Sequence, residues 1–583
     1  MQAAVSTDRA HPESGAPSAK EALFAGASAV VVSALYVAVA AWHGALGVAR
    51  GDDWVYYRAA FKLARSGSFS ADPWAFTMLV GHLLLAQPVI AVFGSSLTAL
   101  QLMVALLGAV AMTATYLVLR SFLSNGRAAF AVGCLALGPI YGTLSVSYMT
   151  DVPAFTLEAL VLLTGLQALR TSRFSFPWFV VSLLMGIAAF SIREYALAAP
   201  AAVSIVALRR VGSYDRLKLR RVAVSVSVGL LVAASMYVWR HSLPGASHVV
   251  RPLQSPLVSA AYVCSAAFTI SLFVFPIMFL ISVRGVTRVL QDHPRVVLLV
   301  AGPVVLIWAS LSANGAVLVG NYLTPHGSDP ETLPGQPPVV VPPVLWQVLL
   351  ILSLLSLLTL AGLGLARHHT PHDTRTPVTR SMAQSTGMQL SWVFCLVMFT
   401  GLAVVKIATP GVIADRYLIP IVPFVLAVAL DRAADDGLLV RRFGPVAVAS
   451  LATMAVLGTA VVDAAATFDG AKWQLATSVQ RSGFPAESID GGYEWFGYHQ
   501  PGKIVDFRLN TPARNWWDRL FENQAICVET RHAATPPWAG ARAVDGVVGR
   551  LTVRTLFGVK YDLVAVRTTE PCLAPRAALV TSR

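Results

Sequence analysis

Carboxylates are scarce in this chain, and four short clusters place them at the ends of long uncharged runs. Gly51-Asp52-Asp53-Trp54-Val55-Tyr56-Tyr57 follows the first run, and Tyr148-Met149-Thr150-Asp151-Val152-Pro153 opens a later one. Arg193-Glu194-Tyr195 and Asp415-Arg416-Tyr417-Leu418-Ile419-Pro420 complete the set. Each joins an acid to an aromatic ring, and the last two add a guanidinium. A carboxylate can take a proton from a hydroxyl near neutral pH. A fixed cation stabilises negative charge that develops as a bond breaks. Brought together, these groups would form a polar site for acid–base and group-transfer chemistry.

The elements that must position them are membrane spans. The chain has 583 residues, 56% of them apolar and only 13% charged, against roughly a quarter charged in an ordinary soluble protein. Uncharged runs recur from residue 23 to residue 463, each near the ~20 residues a helix needs to cross the hydrocarbon core. The runs predict about thirteen spans, near 23–45, 97–120, 128–147, 152–170, 175–192, 194–209, 222–240, 257–282, 296–314, 343–366, 389–408, 412–430 and 443–463. The first run is too long for a signal-peptide core and reads as an uncleaved helix. With the N-terminus in the cytoplasm, every inside loop carries arginine, and the long outside loop 315–342 has no Lys or Arg. The net charge of +14 therefore reflects topology, not a nucleic-acid partner. On this topology the four clusters share the outer face.

The expected organisation has three parts. Residues 1–22 are a disordered cytoplasmic N-terminus, 23–463 are the membrane module with a long first outer loop at 46–96, and 464–583 are an extracytoplasmic domain. In the first outer loop, Trp54, Tyr57, Phe61 and Ala64 recur at helical spacing and predict an interfacial helix. Met78 to Phe93 predicts a second interfacial or re-entrant helix. In the tail, Lys503–Arg508 and Tyr561–Val566 read as strands, with Trp516, Trp517 and Trp538 near them. The fold class is an all-α polytopic bundle with a small α/β C-terminal domain. Of five cysteines, Cys134, Cys264 and Cys395 lie in apolar spans, while Cys527 and Cys572 are free to form a disulfide if the tail faces an oxidising compartment. The chain has no internal repeat, phosphate-binding loop, dinucleotide fingerprint, zinc spacing or Gly-x-Ser-x-Gly elbow.

The run from Asp52 through Tyr57 to Gly67 resembles the acidic motif in the first outer loop of the GT-C membrane glycosyltransferases, with Asp53 where the family has Glu. Thr150-Asp151-Val152-Pro153 is similar to the family's Thr-Asp-x-Pro, and Arg416-Tyr417-Leu418-Ile419-Pro420 with Pro423 to a late Arg-Tyr-Leu-x-Pro segment. His82 through Gly94-Ser95 resembles a short His-containing segment before the second span. The similar branch holds the protein O-mannosyltransferases and the aminoarabinose transferase of lipid A. The resemblance implies an inverting glycosyltransferase of a bacterial cell membrane. It would move a hexosyl or pentosyl group from a polyprenyl-phosphate donor to a glycan, lipid or protein acceptor outside the cytoplasm. It implies Asp52, Asp53 and Asp151 as the catalytic acids, with Asp52 the base. Arg193, Arg416, Lys406 and Arg240 are candidates to hold the donor phosphate. Tyr56, Tyr57, His82, Glu158 and Tyr417 would contact the acceptor or support the site. No cofactor is required by this reading, and a divalent metal stays open.

Plainer readings stand beside these. Asp52, Asp53 and Asp151 fit helix N-termini, where acids cap and favour the dipole. Lys406 and Arg240 fit snorkelling side chains. Two other functions use the same sequence: a lipid or solute transporter, which tends to place its charges at the midplane, and a non-catalytic cell-envelope assembly protein on a GT-C scaffold.

Overall fold

The computed structural model describes residues 18–569 except 71, 76, 171–173, 213–214, 244–253, 283–286, 288–290, 292–293, 329–331, 367–381, 410–412, 441, 501–516, 518–520, 522–524 and 535–543. Helix α1 (Ala19–Trp42) opens on a reciprocal cap. The Ser18 hydroxyl accepts the Glu21 N–H, and the Glu21 carboxylate takes the Ser18 N–H. That cap draws the end of the expected disordered segment, to residue 22, into the helix.

The first long loop folds as expected into two helices, α2 (Asp53–Ser66) and α3 (Val80–Phe93). After α4 (Leu97–Leu119), the single span expected at 128–147 is instead α5 (Asn125–Ala136) and the short α6 (Tyr141–Ser145). Gly138-Pro139 lies at the break, where proline removes an N–H and disfavours helix in the residue before it. Helices α7 (Asp151–Leu169) and α8 (Phe176–Ile192) follow, and a 3-10 turn (Glu194–Leu197) leads into α9 (Ala198–Gly212). Then come α10 (Arg216–Ser242) and α11 (Pro256–Phe273). The latter ends short of the expected residue 282 because Pro276 divides it from α12 (Ile277–Leu280). The rest of the bundle is α13 (Pro294–Ala313), α14 (Pro343–Ala366), α15 (Met382–Ala408), a 3-10 segment (Asp415–Ile421), α16 (Val422–Asp435) and α17 (Phe443–Arg481).

Ten stretches among the described residues are long and apolar enough to cross a membrane, and α3, α8 and Val297–Ala313 are shorter apolar helices. The ten long stretches alone do not reach the expected count of about thirteen. In the apolar stretches of α7 and of Asp415–Asp435, 78% of residues are buried, against 11% in α10. The two central elements are thus the ones that carry Asp151 and Arg416.

Helix α17 does not stop at residue 463. It continues to Arg481 through Asp463-Ala464-Ala465-Ala466, alanines being strong helix formers. The C-terminal part is joined to the bundle by continuous helix, not by a linker. It forms a four-stranded sheet of order β1-β2-β4-β3. Strand β1 (Ile489–Asp490) runs parallel to β2 (Val528–His532), and β4 (Lys560–Thr568) pairs antiparallel with both β2 and β3 (Val544–Arg554). Strands β3 and β4 pack on α17, and α18 (Tyr493–His499) packs on α2. The expected strand at Tyr561–Val566 is β4. The run Lys503–Arg508, Trp516, Trp538 and Cys572 lie outside the described residues. Trp517 is buried and donates its indole N–H to Asp490 Oδ1 at 3.0 Å, and Cys527 is disulfide-bonded.

The end of α1 rests on α17 at Gly470, where a Cβ would collide with the His43 carbonyl. Gly470→Ala should cost about 1–3 kcal/mol by overpacking. The check is the thermal midpoint of the purified protein. An unchanged midpoint would mean that this contact does not form.

Candidate functional site

Asp52 is the N-cap residue of α2 but makes no side-chain cap bond. Its carboxylate faces the rim of the bundle, with 21% of the side chain exposed. Oδ1 accepts the Trp74 indole N–H at 2.8 Å and the Tyr493 hydroxyl at 2.7 Å. Oδ2 stands 3.6 Å from Arg416 Nη2. Arg416 is carried by the 3-10 segment, which Asp415 fixes. The Asp415 carboxylate accepts N–H groups from Tyr322 at 2.9 Å, Leu323 at 2.8 Å and Arg416 at 2.7 Å. Arg416 Nε is buried with no hydrogen-bond partner. A buried donor left unmade costs about 1–3 kcal/mol, more when charged, so this guanidinium keeps capacity for an anion.

Asp151, the first residue of α7, spends its carboxylate on side chains instead of capping. Oδ2 lies 3.3 Å from Arg193 Nη2, and Oδ1 accepts the Tyr195 hydroxyl at 3.3 Å. Arg193 also donates through Nε to the Thr150 hydroxyl. Tyr417 joins the two halves: its ring centroid lies 5.4 Å from the Arg193 guanidinium and 5.5 Å from that of Arg416. Arg416 also lies 5.6 Å from the Tyr322 ring. Tyr56 sits among all four charges. Burial pushes its phenol up, and Arg193, Asp52, Arg416 and Asp151 each act on it through space. Residues from four separate clusters thus lie together in one group.

Other expected residues lie elsewhere. Asp53, expected to work beside Asp52, turns inward and is fully buried. Its Oδ2 accepts the Tyr148 N–H at 2.9 Å and lies 3.5 Å from Gln101 Nε2. Successive residues at a helix start point about 100° apart, so the two acids cannot share one groove. His82 is buried, stacks on Tyr148 at 4.2 Å and bonds the Tyr148 carbonyl at 3.2 Å. Tyr57 stacks on Tyr498 at 5.3 Å and donates to the Ser95 carbonyl at 3.1 Å. Glu158 is buried in α7 with neither oxygen hydrogen-bonded. Lys406 bonds Gln254 at 2.6 Å and covers the Tyr262 ring at 4.1 Å. Arg240 donates to the Ala75 carbonyl at 2.7 Å and so braces the turn that carries Trp74. Arg240 thus meets the Asp52 site through that turn. Among the described residues, no group of three or more His, Cys, Asp or Glu could hold a metal ion.

Sequence reasoning missed Trp74, Tyr493 and Tyr322. It also missed a buried charge set. Lys472 Nζ lies 2.7 Å from Glu494, 3.1 Å from Asp469 and 3.0 Å from the Thr332 hydroxyl. Glu494 also accepts the Gly51 N–H at 3.2 Å, and Arg50 pairs with Asp469 at 2.7 Å. The set clamps the loop just before Asp52. Lys472 and Asp469 inside a long helical run were the available signal.

Residues 72–239 match the family of dolichyl-phosphate-mannose-protein mannosyltransferases. The chain resembles the GT-C membrane glycosyltransferases of that branch. The match contains Asp151 and Arg193; Asp52 and Arg416 lie outside it. Among solved structures the chain is similar to ArnT from Cupriavidus metallidurans bound to undecaprenyl phosphate. Identity there is 11% over 92% of this chain and 97% of that one, with a TM-score of 0.36. It is also similar to the Archaeoglobus fulgidus oligosaccharyltransferase in the apo form, at 14% identity over 85% of this chain and 63% of that one, with a TM-score of 0.40. No curated protein matches the chain.

Burial pushes the Asp53 carboxyl up to about 8 against the opposing pull of the Tyr148 N–H and Arg50. Unfolded aspartate ionises near ~3.9, so the neutral form is favoured by folding. The associated stabilisation is complete below that pH and is lost as pH rises through about 8. Asp53→Asn, which still offers an oxygen to Tyr148, should fold and should lack this loss. Thermal midpoints across pH 4 to 9 check it; identical pH slopes in both proteins would refute the assignment.

Proposed function

We infer that this chain is an inverting glycosyltransferase that uses a sugar linked to a polyprenyl phosphate. Asp52 takes the proton of an acceptor hydroxyl as that oxygen attacks the anomeric carbon. The bond from that carbon to the phosphate oxygen breaks on the opposite face, and the lipid phosphate leaves with the electron pair. A phosphate leaves without a proton donor and needs only positive charge where its negative charge grows. Arg416 supplies it, with Arg193 beyond the Tyr417 ring. Tyr493 and Trp74 aim the Asp52 carboxylate, and the Asp151–Arg193–Tyr195 set braces the other wall. The site and the C-terminal sheet face the extracytoplasmic side, the N-terminus the cytoplasm.

The observation that carries this reading is Asp52 opposite Arg416 at 3.6 Å, both partly open, with Arg416 Nε unpartnered. A base and an anion site stand side by side at a membrane rim. The family match at 72–239 carries a lipid-phosphate-linked mannose in its description and supports the donor class.

The test uses purified protein in lipid discs with a polyprenyl-phosphate sugar. Free polyprenyl phosphate should appear only when an acceptor alcohol or glycan is present. Asp52→Asn should lower that release by about 100-fold or more, the range of a lost general base, while the thermal midpoint stays near that of the parent. Full activity in Asp52→Asn would remove the base assignment. Transport of solute without bond cleavage would replace the whole reading with that of a transporter.

A further inference from the structure

The turn between β3 and β4 is built to a definite shape. The Thr555 N–H donates to the Val559 carbonyl at 3.0 Å, the Gly558 N–H to the Thr555 carbonyl at 3.1 Å, and the Val559 N–H to the Thr555 hydroxyl at 3.0 Å. Gly558 takes a positive φ of 84°, which a side chain would resist. This turn exposes two large apolar side chains, Leu556 at 66% and Phe557 at 51%.

Its position relative to the bundle is set by the packing of β3 and β4 on α17 and by one bond at the turn itself. The Leu556 N–H donates to Asp463 Oδ2 at 2.8 Å. Asp463 is the first charged residue after the uncharged stretch 443–462 of α17. It also holds His43 Nε2 at 2.7 Å, and His43 caps α1 and accepts or donates at Nδ1 with Thr467 at 3.2 Å. The turn is therefore docked where the uncharged stretch of α17 ends and beside the C-terminal end of α1. Trp42, next to His43, is 80% exposed at that level, where tryptophan favours the bilayer interface.

Charge points the same way. Directly behind the turn, Arg554 and Lys560 are cross-strand partners. Like charges placed opposite each other oppose strand pairing. Lys560 has a partial counter-ion in Asp562 at 3.6 Å, and both cations are exposed. An apolar tip followed by a pair of exposed cations complements a bilayer, with acyl chains below and phosphates above.

We propose that Leu556 and Phe557 insert into the interface of the bilayer that holds the spans, with Arg554 and Lys560 on the lipid phosphates. The inference is independent of the reaction at Asp52. It makes the C-terminal sheet a membrane-anchored element, held by α17 on one side and by lipid at its tip.

The full-length protein in lipid discs tests it through a nitroxide on Phe557→Cys. Unsubstituted protein labelled in parallel sets the background from the native thiols. Val547→Cys is the reference, seven residues up the strand from Arg554 and about 20 Å from it at ~3.3 Å per residue. Molecular oxygen concentrates in acyl chains and a nickel chelate stays in water. The ratio of oxygen to nickel relaxation should be several-fold higher at 557 than at 547. Leu556→Cys gives a second position whose main-chain bond to Asp463 survives the change. Nickel access at 556 and 557 equal to that at 547 overturns the proposal. So does shielding of both positions from both reagents, or spin–spin broadening between copies, because a protein would then cover the tip.

Discussion

Two guanidinium groups share the ring of Tyr417, and the rest of the site is arranged around keeping them there. Like charges this close repel, and the low dielectric of a membrane rim raises the penalty. The ring's negative faces offset part of it. The remainder is met by one carboxylate for each cation, and the two are met unequally. Arg193 has Asp151 within hydrogen-bond reach, a hydroxyl on Nε and almost no exposure. Arg416 has Asp52 only at 3.6 Å, an idle Nε and a partly open face. One cation is structural by its saturation, and the other is available by its lack of it.

Availability of that kind has to be held in place. A flexible Asp52 would close the gap and saturate Arg416. The Trp74 and Tyr493 donors fix the other carboxylate oxygen, so the side chain cannot swing fully onto the guanidinium. Behind it, Lys472, Glu494, Asp469 and Arg50 form a buried ionic set that touches Gly51 and Thr332. Removing one member of a buried pair typically costs 3–5 kcal/mol because the other charge is stranded. Parting the loop before Asp52 from α17 would therefore strand buried charge, so the two stay together.

Much of the bundle was legible because lipid demands long uncharged helices, and that demand is written directly in the residues. The breaks at Pro139 and Pro276 were legible in kind but were overruled by the length of the apolar runs around them. The four acidic clusters were found because charge at a span end is rare. Which member of the Asp52–Asp53 pair faces the groove was not legible, since both are compatible with a helix start and only the packing of α4 and Tyr148 decides it. Tyr493 was invisible for a different reason. A tyrosine in a soluble tail carries no mark of the carboxylate it will meet, and it lies 441 residues from Asp52 in sequence.

That separation has a consequence for assembly. Closing a loop costs free energy that grows only as the logarithm of its length, so distance in sequence is no obstacle to the Asp52–Tyr493 bond. Order of events is another matter. The elements carrying Asp52, Asp151, Arg193 and Arg416 can pack once the spans are in place. Tyr493 and Glu494 arrive only after α17 has run past the bundle and β1 has turned at Gly491-Gly492 into α18. Until then Asp52 lacks one of its two neutral donors and Lys472 lacks its nearest carboxylate. A part of the chain that follows the last span thus completes the first acid of the site. A continuous helix through Asp463 is a better way to deliver it than a linker, because helix fixes both the distance and the rotation at which Tyr493 reaches the groove.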